Sequence, residues 1–288
     1  MKTWRICAHG AFEAAAQEAP DSLAEPLRAC LERPPRRINR YIRLALIGAQ
    51  RCVARLDRPL PATTPLYLAS EQGSAAEAVR LMDEIVLRGR SPMPMSFINV
   101  SSNMVGYYLA ASLGLSGRNM NVARSQGAFG AMLELASLEA EPDSLPEPLM
   151  LLGAVAECVW PLAEHRKRCE LPDATPLVEA SYWLAVDDKL DDSVARLAYA
   201  RTRDEIEAQA WLAAGERWAI DPHLSGDQQQ VLGADLERCR EWRAPFCHRG
   251  HPDAVVHALI AALGADPVPR LHVVAGDPFR GYQLMGVW

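Results

Sequence analysis

Several things are scarce or missing in this 288-residue sequence, and each absence narrows the reading. Its seven cysteines are odd in number and include no Cys-x-x-Cys pair. That removes the common zinc and dithiol motifs and fits reduced thiols in a cytosolic protein. No apolar run approaches the ~20 residues that span a bilayer, and Met-Lys-Thr-Trp-Arg-Ile-Cys at the start lacks the apolar segment of a secretory signal. The expectation is a cytoplasmic chain with no membrane span. Positive charge is also short, with 30 Lys and Arg against 36 Asp and Glu. A net charge of −6 argues against nucleic acid as a partner. The short basic groups at 33–40 and 165–168 read as solvated faces. Phosphate-loop, dinucleotide and nucleophile-elbow fingerprints of the Gly-x-Ser-x-Gly kind are absent, so those enzyme classes fall away.

What is present is an ordinary globular composition, long enough for a full core. A first strand is predicted over 3–7. Apolar residues Tyr41, Leu44, Ala45, Gly48, Cys52 and Leu56 recur at helical spacing within 38–56. Prolines break that helix, and a compact strand follows at 66–69, with a turn at 70–73. The next helix carries Ala75, Val79, Met82, Ile85 and Val86 on one side. A small-residue helix at 103–113, a strand at 120–123, a helix to about 138, and apolar strands at 149–155 and 177–186 complete the first part. This alternation predicts a largely parallel sheet with covering helices. Beyond Asp187 the pattern loosens. An acidic loop at 187–192 and a mixed stretch at 195–212 precede an amphipathic helix at 227–242. A clear helix at 252–263 and strands at 271–275 and 282–288 close the chain.

Residues 117–131 are the most informative. They read Gly-Arg-Asn-Met-Asn-Val-Ala-Arg-Ser-Gln-Gly-Ala-Phe-Gly-Ala: a turn glycine, a short alternating strand, a small-residue corner and a helix. Such a corner lifts one side chain beside the N–H groups of a helix N-terminus. The residue at its tip is Gln126, which is no nucleophile.

The ordered motifs resemble the β-ketoacyl synthases, which have the thiolase fold, and among them the degenerate chain-length factors. The early helix Arg-Tyr-Ile-Arg-Leu-Ala-Leu-Ile-Gly-Ala-Gln-Arg-Cys-Val at 40–53, the strand and turn at 66–73, the helix and Gly-x-Asn-x-x-Val at 102–123, and the corner at 125–131 carry the likeness. It extends to the strand at 177–186, to Arg249-Gly250-His251 before a helix, and to 273–288. On that register Gln126 replaces the cysteine of Ala-Cys-Ser-Ser-Gly. His223-Leu224-Ser225-Gly226-Asp227 matches His-Gly-Thr-Gly-Thr only weakly. Claisen condensation needs a thiolate to hold the acyl chain and imidazoles to drive decarboxylation. Loss of the thiol removes the covalent step.

The resemblance implies a single α/β domain over 1–288, a thiolase-like layered sandwich with a ketosynthase-like half at 1–186 and a shortened half at 187–288. It implies a catalytically inactive chain-length factor that pairs with an active ketosynthase and meets acyl carrier protein through that complex, without cofactor or metal. Aryl polyene pigment systems are the family setting it suggests. The pseudo-active site would comprise Gln126, Ser125 and His251. Gln126 would fill the vacated cysteine position or be a plain turn residue; Ser125 has no evident base; His251 is a relic of a catalytic histidine or a helix-start residue. Cys247, His248 and His251 fall short of a four-ligand zinc set. Phe97, Met104, Tyr107, Tyr108, Met120, Val122 and Phe129 would line the dimer seam and acyl tunnel, or be ordinary core. The alternative is a malonyl-carrier-protein decarboxylase using Gln126 with His251.

Overall fold

The computed structural model describes residues 1–16, 22–139, 149–189, 195–233, 236, 240–241, 254–277 and 281–288. The first half runs β1 (Lys2–Ala15), α1 (Ala24–Cys30), α2 (Arg40–Val53), β2 (Leu66–Ser70), α3 (Ala75–Met82), α4 (Pro94–Val100), α5 (Asn103–Leu113), β3 (Asn119–Ala123), α6 (Ala128–Glu139), β4 (Met150–Ala156), α7 (Leu162–Arg168) and β5 (Val178–Asp187). A single π turn, Asp83–Leu87, extends α3. The second half runs β6 (Arg196–Thr202), α8 (Glu205–Ala213), β7 (Arg217–Ile220), α9 (Gly226–Gly233), β8 (Arg240–Glu241), α10 (Ala254–Leu263), β9 (Leu271–Asp277) and β10 (Gly281–Val287).

The strands lie in the order β3-β2-β4-β5-β1-β6-β10-β9-β7-β8. Read outward from the middle, the first half is β1-β5-β4-β2-β3 and the second is β6-β10-β9-β7-β8. These are the same topology, because adding five to each number of the first half gives the second. The halves join where β1 and β6 pair antiparallel, from Lys2 opposite Tyr199 to Arg5 opposite Arg196. The expected largely parallel sheet is corrected. Parallel pairing is confined to β2 with β3 and β4, and to β7 with β8 and β9, while β4–β5, β5–β1, β6–β10 and β9–β10 are antiparallel. Each half closes on a strand that turns back on its predecessor, and helix–strand alternation alone does not reveal that reversal.

The core explains the layering. One continuous apolar cluster joins α6 and α10 to strands of both halves. A second lies between α1, α2, α5 and the outer face of the first half, and a third lies beneath α8 and α9 on the second. The result is a helix–sheet–helix–sheet–helix sandwich of the thiolase kind. Strands β4 and β5 are buried along their whole length because helices cover both faces. Helix α2 lies close on β5 at Gly48, where a Cβ would come within 2.7 Å of Ser181 Cβ and 2.8 Å of Trp183 Cδ1. The Asn39 side chain caps α2 by accepting from the Ile42 N–H at 2.9 Å, which contributes about 1 kcal/mol.

One other expectation changes, and one apolar face lies open. The amphipathic helix at 227–242 is shorter: α9 ends at Gly233, and β8 occupies Arg240–Glu241. The apolar side of α3 and its π turn does not face the core. Val79, Met82, Ile85 and Val86 are 36%, 55%, 37% and 66% exposed.

Candidate functional site

The corner between β3 and α6 sits at one edge of the sheet. Strand β3 pairs only with β2 among the described residues, so its outer backbone edge is open. After Ala123, the Arg124 N–H donates to the Ser70 carbonyl at 3.1 Å. Ser125 and Gln126 are both exposed. Gly127 then takes a left-handed φ of +62°, a conformation glycine adopts without strain, and α6 begins at Ala128. The sharp bend is therefore at Gly127, one residue beyond Gln126. No hydrogen bond joins the Gln126 side chain to the corner among the described residues.

The inner side of the bend is filled by a residue with no local signature in the sequence. Gln283 of β10 is 1% exposed. Its amide lies against Gly127 and Gly130: a Cβ on Gly127 would come within 2.9 Å of Oε1, and one on Gly130 within 2.8 Å of Nε2. Gln283 Nε2 donates to the Gly127 carbonyl at 3.5 Å. Its Oε1 is buried without a hydrogen-bond partner among the described residues. It stands at the N-terminal, positive end of α6, where a thiolate or an oxyanion would otherwise gain most.

Around Gln283 stand Glu71, just past β2, and Asp221 and His223, just past β7. In the repeated topology β2 and β7 are counterparts, so the two halves bring matching loops to one place. The His223 backbone N–H and ring Nδ1 both lie 2.9 Å from Asp221 Oδ1. Burial pushes the Glu71 carboxyl up to about 7; His223 pulls it down and Asp221 pushes it further up. The cavity that these residues share with Phe129 is about 20 Å³, room for roughly one water. An acyl group does not fit there.

Cysteine chemistry is absent from this corner among the described residues. Burial pushes the Cys158 thiol up to about 12, and its Sγ lies 3.8 Å from the Val178 carbonyl. No group of three or more His, Cys, Asp or Glu is placed to hold a metal among the described residues. No helix of the described residues is long and apolar enough to cross a membrane.

The other singled-out residues divide. His251, with Cys247 and His248, lies outside the described residues. Phe129 is buried on α6 in the main core. Met120 and Val122 of β3 are half-buried against that core. Met104 and Tyr108 pack partly against the α2 cluster, whereas Phe97 and Tyr107 are 56% and 61% exposed. Of the residues that sequence reasoning passed over, His223 carried a weak signal in its resemblance to a family histidine motif. Glu71 and Gln283 carried none.

No family model matches the sequence, and no curated protein matches it. Solved structures do match the fold. The ishigamide ketosynthase/chain length factor superposes with a TM-score of 0.72 at 15% identity, with 99% of each chain covered. A chain of the AntDE:AntF complex, described as a type II PKS acyl-carrier protein in complex with its ketosynthase bound to the hexaketide, gives 0.66 at 11%, again covering 99% of each. The ketosynthase ApeO with its chain length factor ApeC, from Xenorhabdus doucetiae, gives 0.56 at 11%, covering 99% of this chain and 100% of that one. The chain thus has the thiolase-like fold of ketosynthase and chain length factor structures.

Proposed function

We propose that this chain is a non-condensing ketosynthase homologue that serves as a chain-length factor. It would pair with an active ketosynthase whose own cysteine takes the acyl group from an acyl carrier protein and extends it by decarboxylative condensation. The observation that carries this reading is Gln283. Both halves carry the same five-strand order among the described residues, yet the bend that would present a thiolate holds an amide, with space for about one water. Covalent catalysis there lacks both its nucleophile and its substrate volume.

The surface supports the pairing. Most of the large apolar side chains left exposed among the described residues fall between 79 and 107: Val79, Met82, Val86, Leu87, Met93, Phe97 and Tyr107. That concentration is characteristic of an interaction face. The open edge of β3 lies near it in the chain and offers unpaired backbone groups to a partner strand. In this reading β3 pairs antiparallel across a pseudo-twofold seam, and α4 and α5 carry Phe97, Met104, Tyr107 and Tyr108 to the tunnel floor. The setting would be a cytoplasmic type II polyketide or fatty-acid-like system, with aryl polyene assembly the favoured case, and the chain itself would need no cofactor.

Co-expression with candidate ketosynthases, followed by sizing of what elutes together, tests this. A stable heterodimer that elongates malonyl units only when both subunits are present is expected. A well-behaved monomer with no affinity for any ketosynthase would overturn the proposal. Carbon dioxide release from malonyl-carrier protein by this chain alone, abolished in Gln126→Ala, would point to a decarboxylase instead.

A further inference from the structure

Charge is unevenly spread along this chain. Residues 28–58 hold nine arginines, no lysine and two acids, Glu32 and Asp57, a net +7 in a chain of −6. The other residues together therefore carry −13, and the whole-chain value conceals the segment. In the fold it comprises the end of α1, the connection to α2, α2 itself and the turn after it. Helices α1 and α2 lie on the outer face of the first half, over their own apolar cluster.

Two of these arginines are neutralised, Arg40 by Glu179 and Arg58 by Asp187. Six others, Arg28, Arg33, Arg36, Arg37, Arg51 and Arg55, are exposed and have no carboxylate partner among the described residues. Arg55 Nη1 donates to the His9 carbonyl at 3.0 Å, and Arg51 Nη1 donates to the Ala11 carbonyl at 3.1 Å. The Arg51 guanidinium also stands 4.8 Å from the centre of the Phe12 ring. Those partners are neutral, so both side chains are held against β1 with their charge uncompensated. Arg36 and Arg37 come just before α2, where the helix dipole adds positive potential. The 14 residues of α2 set the two groups ~20 Å apart, so the charge covers an area and not a point.

The chemistry of the face selects its partner. No large apolar side chain is exposed between 2 and 78 among the described residues. Protein interfaces centre on apolar and aromatic anchors and are depleted of charge at their cores, which is the opposite of this layer. Most of α2 is buried, so it cannot enter a nucleic-acid groove as a reading helix does. An anionic lipid surface asks only for positive charge spread over an area, and the guanidinium fork matches a phosphate. We propose that the α1–α2 layer docks on membrane surfaces rich in anionic phospholipid. The docking is peripheral, since nothing apolar inserts. The acidic remainder of the chain does not forbid it, because exposed charges more than ~8 Å away are largely screened at physiological ionic strength. The surface is independent of the proposed role in condensation.

Vesicle flotation of the full chain tests this, with its ketosynthase if one is needed for solubility and the ketosynthase alone as the blank. The vesicles are phosphatidylcholine alone, or an equal mixture of phosphatidylcholine and phosphatidylglycerol. Binding to the mixed vesicles only, reversed by raised salt, is expected. Each arginine near such a surface strengthens binding roughly fivefold. Arg36→Gln with Arg37→Gln, and Arg51→Gln with Arg55→Gln, should therefore each weaken it at least tenfold. Arg203→Gln with Arg270→Gln, exposed on the second half, makes the same change in net charge and should leave binding nearly unchanged. Urea midpoints show that the variants fold; should one pair fail, the other carries the comparison. No flotation with mixed vesicles, equal flotation with phosphatidylcholine alone, indifference to salt, or equal weakening by the control pair overturns the inference. Tighter capture by polyglutamate or by RNA than by the mixed vesicles overturns it too.

Discussion

Gln283 and Gly130 are fitted to each other across the two halves of the fold. The amide from β10 occupies the space that a side chain at position 130 of α6 would need, coming within 2.8 Å of a Cβ built there. Gln283 is 1% exposed and the adjoining cavity is about 20 Å³, so the amide has nowhere to retreat. Gly130→Ala should therefore destabilise the chain by about 1–3 kcal/mol as overpacking, despite the ~1 kcal/mol that alanine gains over glycine inside a helix. Adding Gln283→Ala should relieve the clash and make the pair of changes less costly than their sum. Urea denaturation of the four chains measures this. Strict additivity would show that the two residues do not touch.

Gln126 should matter little to stability. It is exposed and unbonded at the corner, so Gln126→Ala should stay within about 0.5 kcal/mol of the parent. Nor should a sulfur at that position restore condensation. Gln126→Cys would present a solvent-facing thiol beside a filled pocket, open to iodoacetamide but not acylated from a carrier protein. Mass spectrometry of the intact chain after incubation with acyl-carrier protein checks this. A stable acyl adduct on Cys at 126 would show that the pocket opens.

These two cases show which parts of the site were legible in the sequence. The corner was readable because a turn glycine, an alternating strand and small residues leave a local signature. The backbone device behind it is Gly127, whose positive φ makes the bend just after Gln126. Gln283 was unreadable because it reaches the bend from 156 residues away, and nothing in Gly-Tyr-Gln-Leu-Met marks an amide that will meet a helix start. The mixed sheet escaped for a similar reason: strand reversal after β4 depends on tertiary packing, not on periodicity. The apolar side of α3 was legible as apolar but not as uncovered, because periodicity gives a face without naming what covers it.

That uncovered face leads to a separation of stability from association. Phe97 and Tyr107 are 56% and 61% exposed, so Phe97→Asp and Tyr107→Asp should leave the urea midpoint of the isolated chain nearly unchanged. Each should weaken a ketosynthase heterodimer at least tenfold, as loss of a central aromatic anchor does. Val105→Asp is the contrast. Val105 is 1% exposed in the α2–α5 core, and a buried unpaired charge there should unfold the chain outright. Sizing with a partner and melting alone, on the same three variants, give the two readouts.

His165 on α7 sets an acid limit on stability. It is 2% exposed, and its Nδ1 accepts from the Val159 N–H at 3.2 Å. Burial pulls the imidazole down from 6.5 to about 4, with Arg168 and Arg166 adding to the effect. The unfolded chain therefore binds more protons between about pH 4 and 6.5, so stability rises with pH across that window and is flat above it. The span corresponds to at most about 3 kcal/mol. Glu71 and Glu157 are raised to about 7 and about 8, which gives the opposite slope over the window from the usual carboxylate value up to those values. The difference between the parent and His165→Asn removes both contributions. Urea midpoints taken from pH 4.5 to 8 should converge toward low pH, with the parent losing its advantage as acid charges the unfolded imidazole. A difference independent of pH would show that the fold leaves the imidazole unshifted, and one that grows toward low pH would show that the fold favours its protonated form.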